Sequence, residues 1–234
     1  MKPNGELAKS WLLDGSVGSP HGSVGCFFVL PLFDAYEVTG DKKYLDTALK
    51  GLDFYLGEFN KGGCTTAGAL DSNCIDKESG APVLRAAMKA YEVTGQQKYL
   101  DASIELAYYL ATWQYHYSVQ FPADSQLAQL KVDTYGSTAV SAAHNALDHY
   151  GIYYIPEYLK LAELTGNDIW RQRARAIWYN GTQMPPMAHC WFAAECVQPV
   201  LRMNPSVIPA GAVLITSCMS PANGAPYGRV RSAM

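Results

Sequence analysis

The sequence has 234 residues, 49% of them hydrophobic and 17% charged, which is enough for a domain with a substantial core. Its formal net charge of −3 argues against a basic surface that binds nucleic acid or anionic membranes. No apolar run reaches the roughly 20 residues of a membrane span, and the N-terminus lacks a basic-then-apolar leader pattern. We therefore expect no nucleic-acid or membrane partner, and a cytoplasmic protein unless Met1 is an internal start of a longer one.

Six cysteines occur without a CxxC pair, and no Cys/His cluster has zinc-ligand spacing. We therefore expect free thiols, no metal centre and no cofactor. The 16 tyrosines are many for this length, and they suit both the stacking of sugar rings and the packing of helices. Composition leaves the oligomeric state open.

The strongest pattern is an internal repeat. Residues 36–46 read YEVTGDKKYLD and residues 91–101 read YEVTGQQKYLD, so nine of eleven positions match at an offset of 55. A weaker third copy, LAELTGNDIWRQRA, covers residues 161–174. Each copy predicts two helices joined by a tight turn, because a glycine in the left-handed conformation commonly ends a helix.

The second helix of each copy has its own signals. Asp41 and Asn167 are placed to cap it in the first and third copies, whereas Gln96 is a poorer cap in the second. Apolar residues then recur at helical spacing, at Leu45, Leu49, Leu52 and Leu56 in the first copy and at Leu100, Ile104, Ala107 and Leu110 in the second.

Long connections separate the predicted hairpins. Residues 57–82 and 114–137 are rich in Gly, Ser, Thr, Asp and Asn. Connections on one side of a repeat array commonly carry the function. No alternating strand pattern competes with the helices in residues 1–183.

The turn TGDKKYLDTA after an aromatic-rich helix resembles the hairpin of six-hairpin (α/α) toroid glycosidases and related polysaccharide-active enzymes. The blocks LDSNCIDKESG (70–80) and TYGSTAVSAAHNALDHYGIYYIPEYLKLAELTG (134–166) resemble those of largely uncharacterised bacterial members. The resemblance covers about residues 20–183. It implies an all-α fold of repeated hairpins that form part of an (α/α)6 toroid. It also implies glycoside hydrolase chemistry on a carbohydrate partner, including glycans that contain uronic acids.

Composition changes after Gln183. The last 51 residues hold 7 of 13 prolines and 5 of 7 methionines but only four charged side chains. We therefore predict a partial toroid in residues 1–183 and an irregular Pro/Met/Cys-rich tail in residues 184–234. In a shifted reading frame, codons of the tail can encode segments rich in Arg and Trp that would continue such an enzyme. This favours a frameshifted tail and a fragment of about three hairpins, which DNA sequencing across codons 180–190 would test.

The first candidate block precedes the third predicted helix. Glycoside hydrolysis uses two carboxyl groups that flank the bond, one protonated and one ionised. Asp76 and Glu78 are the catalytic candidates here, and Asp71 and Asn73 are candidate ligands of sugar hydroxyls. Lys77 would keep neighbouring carboxyl groups ionised. The alternative is that these acidic residues cap the helix and complement its dipole.

The second candidate block contains His144 and Asp148, which are four residues apart. A helix would place them on one face, where the carboxylate orients the imidazole for catalysis. His149 and Tyr150 are candidate substrate ligands, and Gly151 is expected to break the helix. The alternative is a His/Asp pair that braces two helices.

Aromatic residues make a third candidate group. Trp113, Tyr115 and His116 crowd a predicted helix end, and Tyr135 lies in the second long connection. Such rings can stack on the apolar faces of sugars, so we predict substrate contacts for all four. The alternative is core packing between hairpins.

Two other functions compete with glycoside hydrolysis. A polysaccharide lyase or sugar epimerase on the same scaffold would need a base, for which Tyr150, Tyr135 or His144 could serve. An inactive fragment or a helical-repeat binding module would need none of these residues. Fold alone does not decide between them.

Overall fold

The computed structural model describes residues 1–19, 23–66, 74–143 and 147–183, and helices dominate this part of the chain. Its α-helices are α1 (Val29–Thr39), α2 (Lys42–Gly62), α3 (Gly80–Thr94), α4 (Gln97–Thr112), α5 (Gln126–Gln129), α6 (Ile155–Thr165) and α7 (Ile169–Thr182). Two 3-10 helices, Ser23–Phe28 and Tyr150–Tyr154, directly precede α1 and α6. The predicted all-α class of repeated hairpins is confirmed. The predicted tail, residues 184–234, lies outside the described residues.

The hairpins pair α1 with α2, α3 with α4, and α6 with α7. Gly40, Gly95 and Gly166 end the first helix of each pair with φ of 69°, 67° and 68°. The threonine before each glycine donates its hydroxyl to a carbonyl four residues earlier, at 2.6 Å in all three copies. That hydroxyl also accepts the N–H two residues later. Each copy of the repeat therefore forms the same turn, which is held by hydrogen bonds among its own residues.

The caps of the second helices follow the sequence prediction. Asp41 Oδ1 accepts the N–H of Lys43 at 3.0 Å, and Asn167 Oδ1 accepts that of Ile169 at 3.1 Å. Gln96 makes no capping hydrogen bond with its side chain. The repeat thus has a strong cap where the sequence places a short polar side chain.

The core lies between the hairpins, with α3 packed against α1, α2 and α6. The predicted apolar stripes of α2 and α4 face this core, where Leu52 and Leu110 are fully buried. In the third hairpin the rings of Tyr158 and Trp170 pack at a tilt, with their centres 5.4 Å apart. The Tyr158 hydroxyl donates to the Ala107 carbonyl at 3.1 Å, which ties the third hairpin to the second. Each large side chain buried here contributes roughly 1.5–3 kcal/mol.

The connections contain short strands that the sequence analysis did not predict. They are β1 (Ser10–Trp11), β2 (Val17–Ser19), β3 (Thr65–Thr66), β4 (Ile75–Asp76), β5 (Thr138–Ala139) and β6 (Leu147–Asp148). They pair antiparallel as β1 with β2, β3 with β4, and β5 with β6. Strands of two or three residues are too short to show a detectable alternation of apolar and polar residues in the sequence.

The array has two different ends. Each Thr-Gly turn joins two helices at one end, which we call the turn end. The long connections must therefore return to the opposite end, the loop end, where α3 and α6 begin. A bridge between Asp76 and Ser141 links the two long connections there.

One boundary differs from the sequence prediction. The first long connection was expected from residue 57, but α2 continues to Gly62. Phe59 extends the buried face of the helix, and Gly63 ends it with φ of 63°. None of the described helices combines the length and apolarity needed to cross a bilayer.

Candidate functional site

The candidate site is built on a small sheet at the loop end. Residues 75–77 pair with β3 on one side and with residues 140–142 on the other. The Lys77 N–H donates to the Val140 carbonyl at 3.2 Å, and the Ala142 N–H donates to the Ile75 carbonyl at 2.9 Å. Successive side chains of extended backbone alternate between faces, so Asp76 and Lys77 enter different surroundings.

Asp76 is fully buried and lies just before the start of α3. Its Oδ1 accepts the Ser79 N–H at 3.2 Å, and the Thr65 hydroxyl lies 3.5 Å from the same atom. The backbone carbonyl of Asp76 accepts the hydroxyls of Thr65, at 2.7 Å, and of Tyr109. These contacts match the helix-capping alternative for Asp76, and they place its carboxylate beneath the surface.

Lys77 forms a buried ion pair with Asp148. The Lys77 Nζ lies 2.6 Å from each Asp148 carboxylate oxygen, and the two side chains are 1% and 6% exposed. The ammonium also donates to the Thr138 hydroxyl at 3.1 Å, and that hydroxyl donates to Asp148 Oδ1. The Tyr150 N–H completes the set, donating to Asp148 Oδ1 at 3.1 Å. The buried charges are thus well supplied with hydrogen bonds, as such pairs require.

Three candidate carboxylates influence the pKa of Lys77. Burial lowers the pKa of Lys77, and three neighbouring carboxylates oppose that change. Asp148 opposes it most, followed by Glu78 and Asp76. Three of the predicted catalytic residues, which come from two distant segments, therefore influence the pKa of one ammonium group, and Asp148 contacts that group directly.

Two of the predicted residues in this cluster reach the surface. Glu78 is half-buried, and Tyr150 is 53% exposed. The Lys77 Nζ lies 5.5 Å from the centre of the Tyr150 ring, within the range of a cation–π contact. Glu78 and Tyr150 are therefore the parts of this cluster that a ligand could reach.

His149 lies next to the ion pair. Burial of the ring lowers the pKa of His149, Asp148 opposes this, and Lys77 adds to it. The residue lines a pocket of about 50 Å³ together with Ser137, Leu147 and Asn180. Pockets for small ligands measure about 300–1,000 Å³, so this one is too small for a sugar ring.

The predicted aromatic residues divide into packed and open groups. Trp113 is half-buried with its ring edge-on to Tyr109 at 6.2 Å, as expected for core packing. Tyr115 is half-buried, and His116 is exposed. Both contact the exposed Tyr117, with ring centres 5.6 Å and 5.7 Å away.

Tyr135 is 50% exposed, and backbone pairing places it beside the same loop. The Tyr115 N–H donates to the Ser137 carbonyl, and the Gly136 N–H donates to the Tyr115 carbonyl, each at 2.8 Å. The Tyr135 N–H donates to Asp133 Oδ1 at 2.9 Å. The open rings are therefore those of Tyr117, Tyr135 and His116, whereas those of Trp113 and Tyr115 are half-buried.

The predicted helix through Asp148 is wrong. Asp148 lies in β6, and it pairs with Thr138 of β5. Its carboxylate is enclosed by donors from β5, Lys77 and the Tyr150 backbone, an arrangement that a helix could not provide. The proposed facing of His144 and Asp148 through a helical turn therefore fails. His144, Asp71 and Asn73 themselves lie outside the described residues.

Several residues of this cluster were missed in the sequence. Lys77 was considered only for its effect on neighbouring carboxyl groups, and Thr65, Tyr109 and Thr138 were not considered. Lys77 and Asp148 are 71 residues apart, a separation that carries no periodic signal. A lysine inside an acidic block was the one available hint. Within the described parts of the chain, no three His, Cys, Asp or Glu side chains are grouped to hold a metal ion.

The described residues form an all-α array of hairpins with a carboxylate-bearing loop end. No family model and no curated protein matches the chain. A family 76 α-mannanase of Bacteroides thetaiotaomicron is similar in structure, with 18% identity, a TM-score of 0.46, and coverage of 72% of this chain and 44% of that chain.

Two further solved structures from Bacteroides thetaiotaomicron are similar at 18% identity. A family 76 glycoside hydrolase from a bovine strain has a TM-score of 0.47, covering 71% of this chain and 36% of its own. A family 76 mannosidase has a TM-score of 0.46, covering 70% and 45%. This chain therefore spans less than half the length of each.

Proposed function

We propose that this protein is glycoside hydrolase-like and acts on glycans by carboxylate acid/base chemistry at the loop end. One observation carries the proposal. The Lys77 ammonium and the Asp148 carboxylate form a buried ion pair on one small sheet, with the half-buried Glu78 next to Lys77 in the chain and the exposed Tyr150 ring 5.5 Å from the ammonium. Hydrolysis of a glycosidic bond needs two carboxyl groups in unlike surroundings, and this cluster offers such a contrast.

The surroundings suggest different roles for the carboxyl groups. Asp148 faces the Lys77 ammonium group and accepts a hydrogen bond from the Tyr150 N–H, so we assign it the role of the second carboxylate. Glu78 is the one of the three that is half-exposed, so we assign it the exchange of a proton with the leaving group or with water. Asp76 accepts the Ser79 N–H just before α3, so we assign it a structural role close to Glu78 in the chain.

The tyrosines would supply the sugar-binding surface. Tyr150, Tyr135 and Tyr117 are each at least half exposed at the loop end. Aromatic rings of this kind offer a flat apolar surface with a polar hydroxyl at one edge. We assign the predicted sugar contacts of Tyr150 and Tyr135 to this surface, with His116 and His149 as polar neighbours.

The test is an activity screen on the full chain and on a version with the downstream reading frame restored. Substrates would include α-mannan and glycans that contain glucuronic or galacturonic acid. Release of reducing ends reports hydrolysis, and absorbance of unsaturated products reports the competing lyase reaction. We expect hydrolysis, with Glu78→Gln reducing kcat by roughly 100-fold or more.

Glu163→Gln on the exposed face of α6 is the matched control, and it should keep full activity. Asp148→Asn should also lose activity. An active wild type whose activity survives both Glu78→Gln and Asp148→Asn would refute the assigned site. No activity in either version of the chain would favour the inactive fragment or binding module, and unsaturated products would favour the lyase.

A further inference from the structure

The Lys77–Asp148 ion pair joins the starts of two helices. The Lys77 carbonyl accepts the N–H groups of Gly80 and Ala81, the first residues of α3. The Asp148 carboxylate accepts the N–H of Tyr150, the first residue of the 3-10 helix that leads into α6. The pair therefore connects the second hairpin to the third at the loop end.

Among the ion pairs between described residues, this one is the most deeply buried. Lys98 of α4 contacts both carboxylate oxygens of Asp53 of α2 at 3.0 Å, but both of those side chains are exposed. Exposed pairs contribute little because water and salt screen them. Lys77 and Asp148 are almost fully buried, so their charges can be accommodated only while each remains close to the other.

We infer that Lys77 is a positioning residue, which holds Asp148 and, through it, Tyr150 in place on the loop end. The chain of contacts runs from the Lys77 ammonium to the Asp148 carboxylate, and from that carboxylate to the Tyr150 N–H and the Thr138 hydroxyl. The role in positioning is independent of activity. Its consequence for catalysis rests on the proposed function.

The chemistry of the pair separates positioning from simple stabilisation. Two apolar side chains of similar size can replace a buried ion pair without loss of stability. They cannot direct hydrogen bonds, so they would leave the Tyr150 N–H without its carboxylate acceptor. A double variant that is stable but disordered at Tyr150 is therefore the signature of positioning.

The experiment compares Lys77→Met, Asp148→Leu and the double variant in the full chain, with Lys98→Met as the matched control. Removing one partner leaves a buried charge unpaired, so each single variant should lower Tm by roughly 10 °C. The double variant should recover most of this loss, because the two substitutions are coupled. Lys98→Met should change Tm by no more than about 2 °C.

Amide hydrogen exchange then measures the protection of the Tyr150 N–H, which does not depend on an activity assay. In the double variant we expect exchange at Tyr150 to accelerate at least tenfold, while exchange at Tyr158 in α6 stays unchanged. If the protein hydrolyses a glycan, the double variant should lose kcat at least tenfold with little change in KM.

Three results would overturn the inference or separate it from the proposed function. Single-variant losses in Tm that simply add in the double variant would show that Lys77 and Asp148 are not coupled. Full protection of Tyr150 in the stable double variant would show that the pair only stabilises. An inactive wild type with the expected coupling and exchange would refute the proposed function and leave the positioning role intact.

Discussion

The turn end and the loop end of the array are held together in different ways. At the turn end, the bonds around Gly40 run between residues no more than four positions apart, and they recur in three copies. At the loop end, Thr65 reaches Asp76 across 11 residues and Lys77 reaches Asp148 across 71. The helical hairpins are therefore held by local contacts, whereas the candidate site depends on contacts between residues far apart in the chain.

A glycine at each end gives the largest contrast. Gly136 at the loop end has φ of 87°, and an added Cβ would overlap the Ala176 backbone carbonyl of α7. Gly95 at the turn end has φ of 67° with open space around it. We expect Gly136→Ala to cost roughly 2–5 kcal/mol and Gly95→Ala about 1–2 kcal/mol, measured by urea unfolding. Equal losses would mean that tight packing at Gly136 adds nothing.

A hydroxyl at the loop end gives the next largest effect. The Tyr109 hydroxyl donates to the buried Asp76 carbonyl, and burial raises the pKa of Tyr109, which keeps the group protonated. We expect Tyr109→Phe to cost about 1–2 kcal/mol by thermal or urea unfolding. The adjacent Tyr108 is half exposed, so Tyr108→Phe should change stability by less than about 0.5 kcal/mol. A similar cost for both would argue against a tie between α4 and the small sheet.

A cap at the turn end gives the smallest effect, and a favourable one. Gln96 has φ of −76° and ψ of 120°, close to the values of −77° and 111° for Asp41, which caps α2. We expect Gln96→Asp to stabilise the protein by about 0.5–1 kcal/mol, while Asp41→Ala destabilises it by a similar amount. Unfolding midpoints would measure both. No gain from Gln96→Asp would show that the repeated turns are less alike than their backbones indicate.

The sequence predicted the hairpins well because their signals are local. Thr-Gly followed by a short polar residue defines a turn and a cap within six positions, and the apolar spacing of α2 and α4 identifies their buried faces. The candidate carboxylates of Asp76, Glu78 and Asp148 all influence the pKa of Lys77. Their catalytic roles stay predictions.

The predicted helix through Asp148 failed because a residue outside the block determined its local structure. The spacing of His144 and Asp148 satisfied a helical rule, but pairing with Thr138 placed Asp148 in a strand. Its partner Thr138 lies ten residues away, outside the window that a helical spacing rule considers.

By itself, the sequence determined the all-α class, the three Thr-Gly turns and the buried faces of the helices. These follow from backbone preferences and apolar periodicity, which act over a few residues. Only the tertiary structure decided that Lys77 meets Asp148 and that Tyr150 stays open beside them. The reason is that a buried charge needs a partner nearby in space, and the partner's position along the chain leaves no pattern to read.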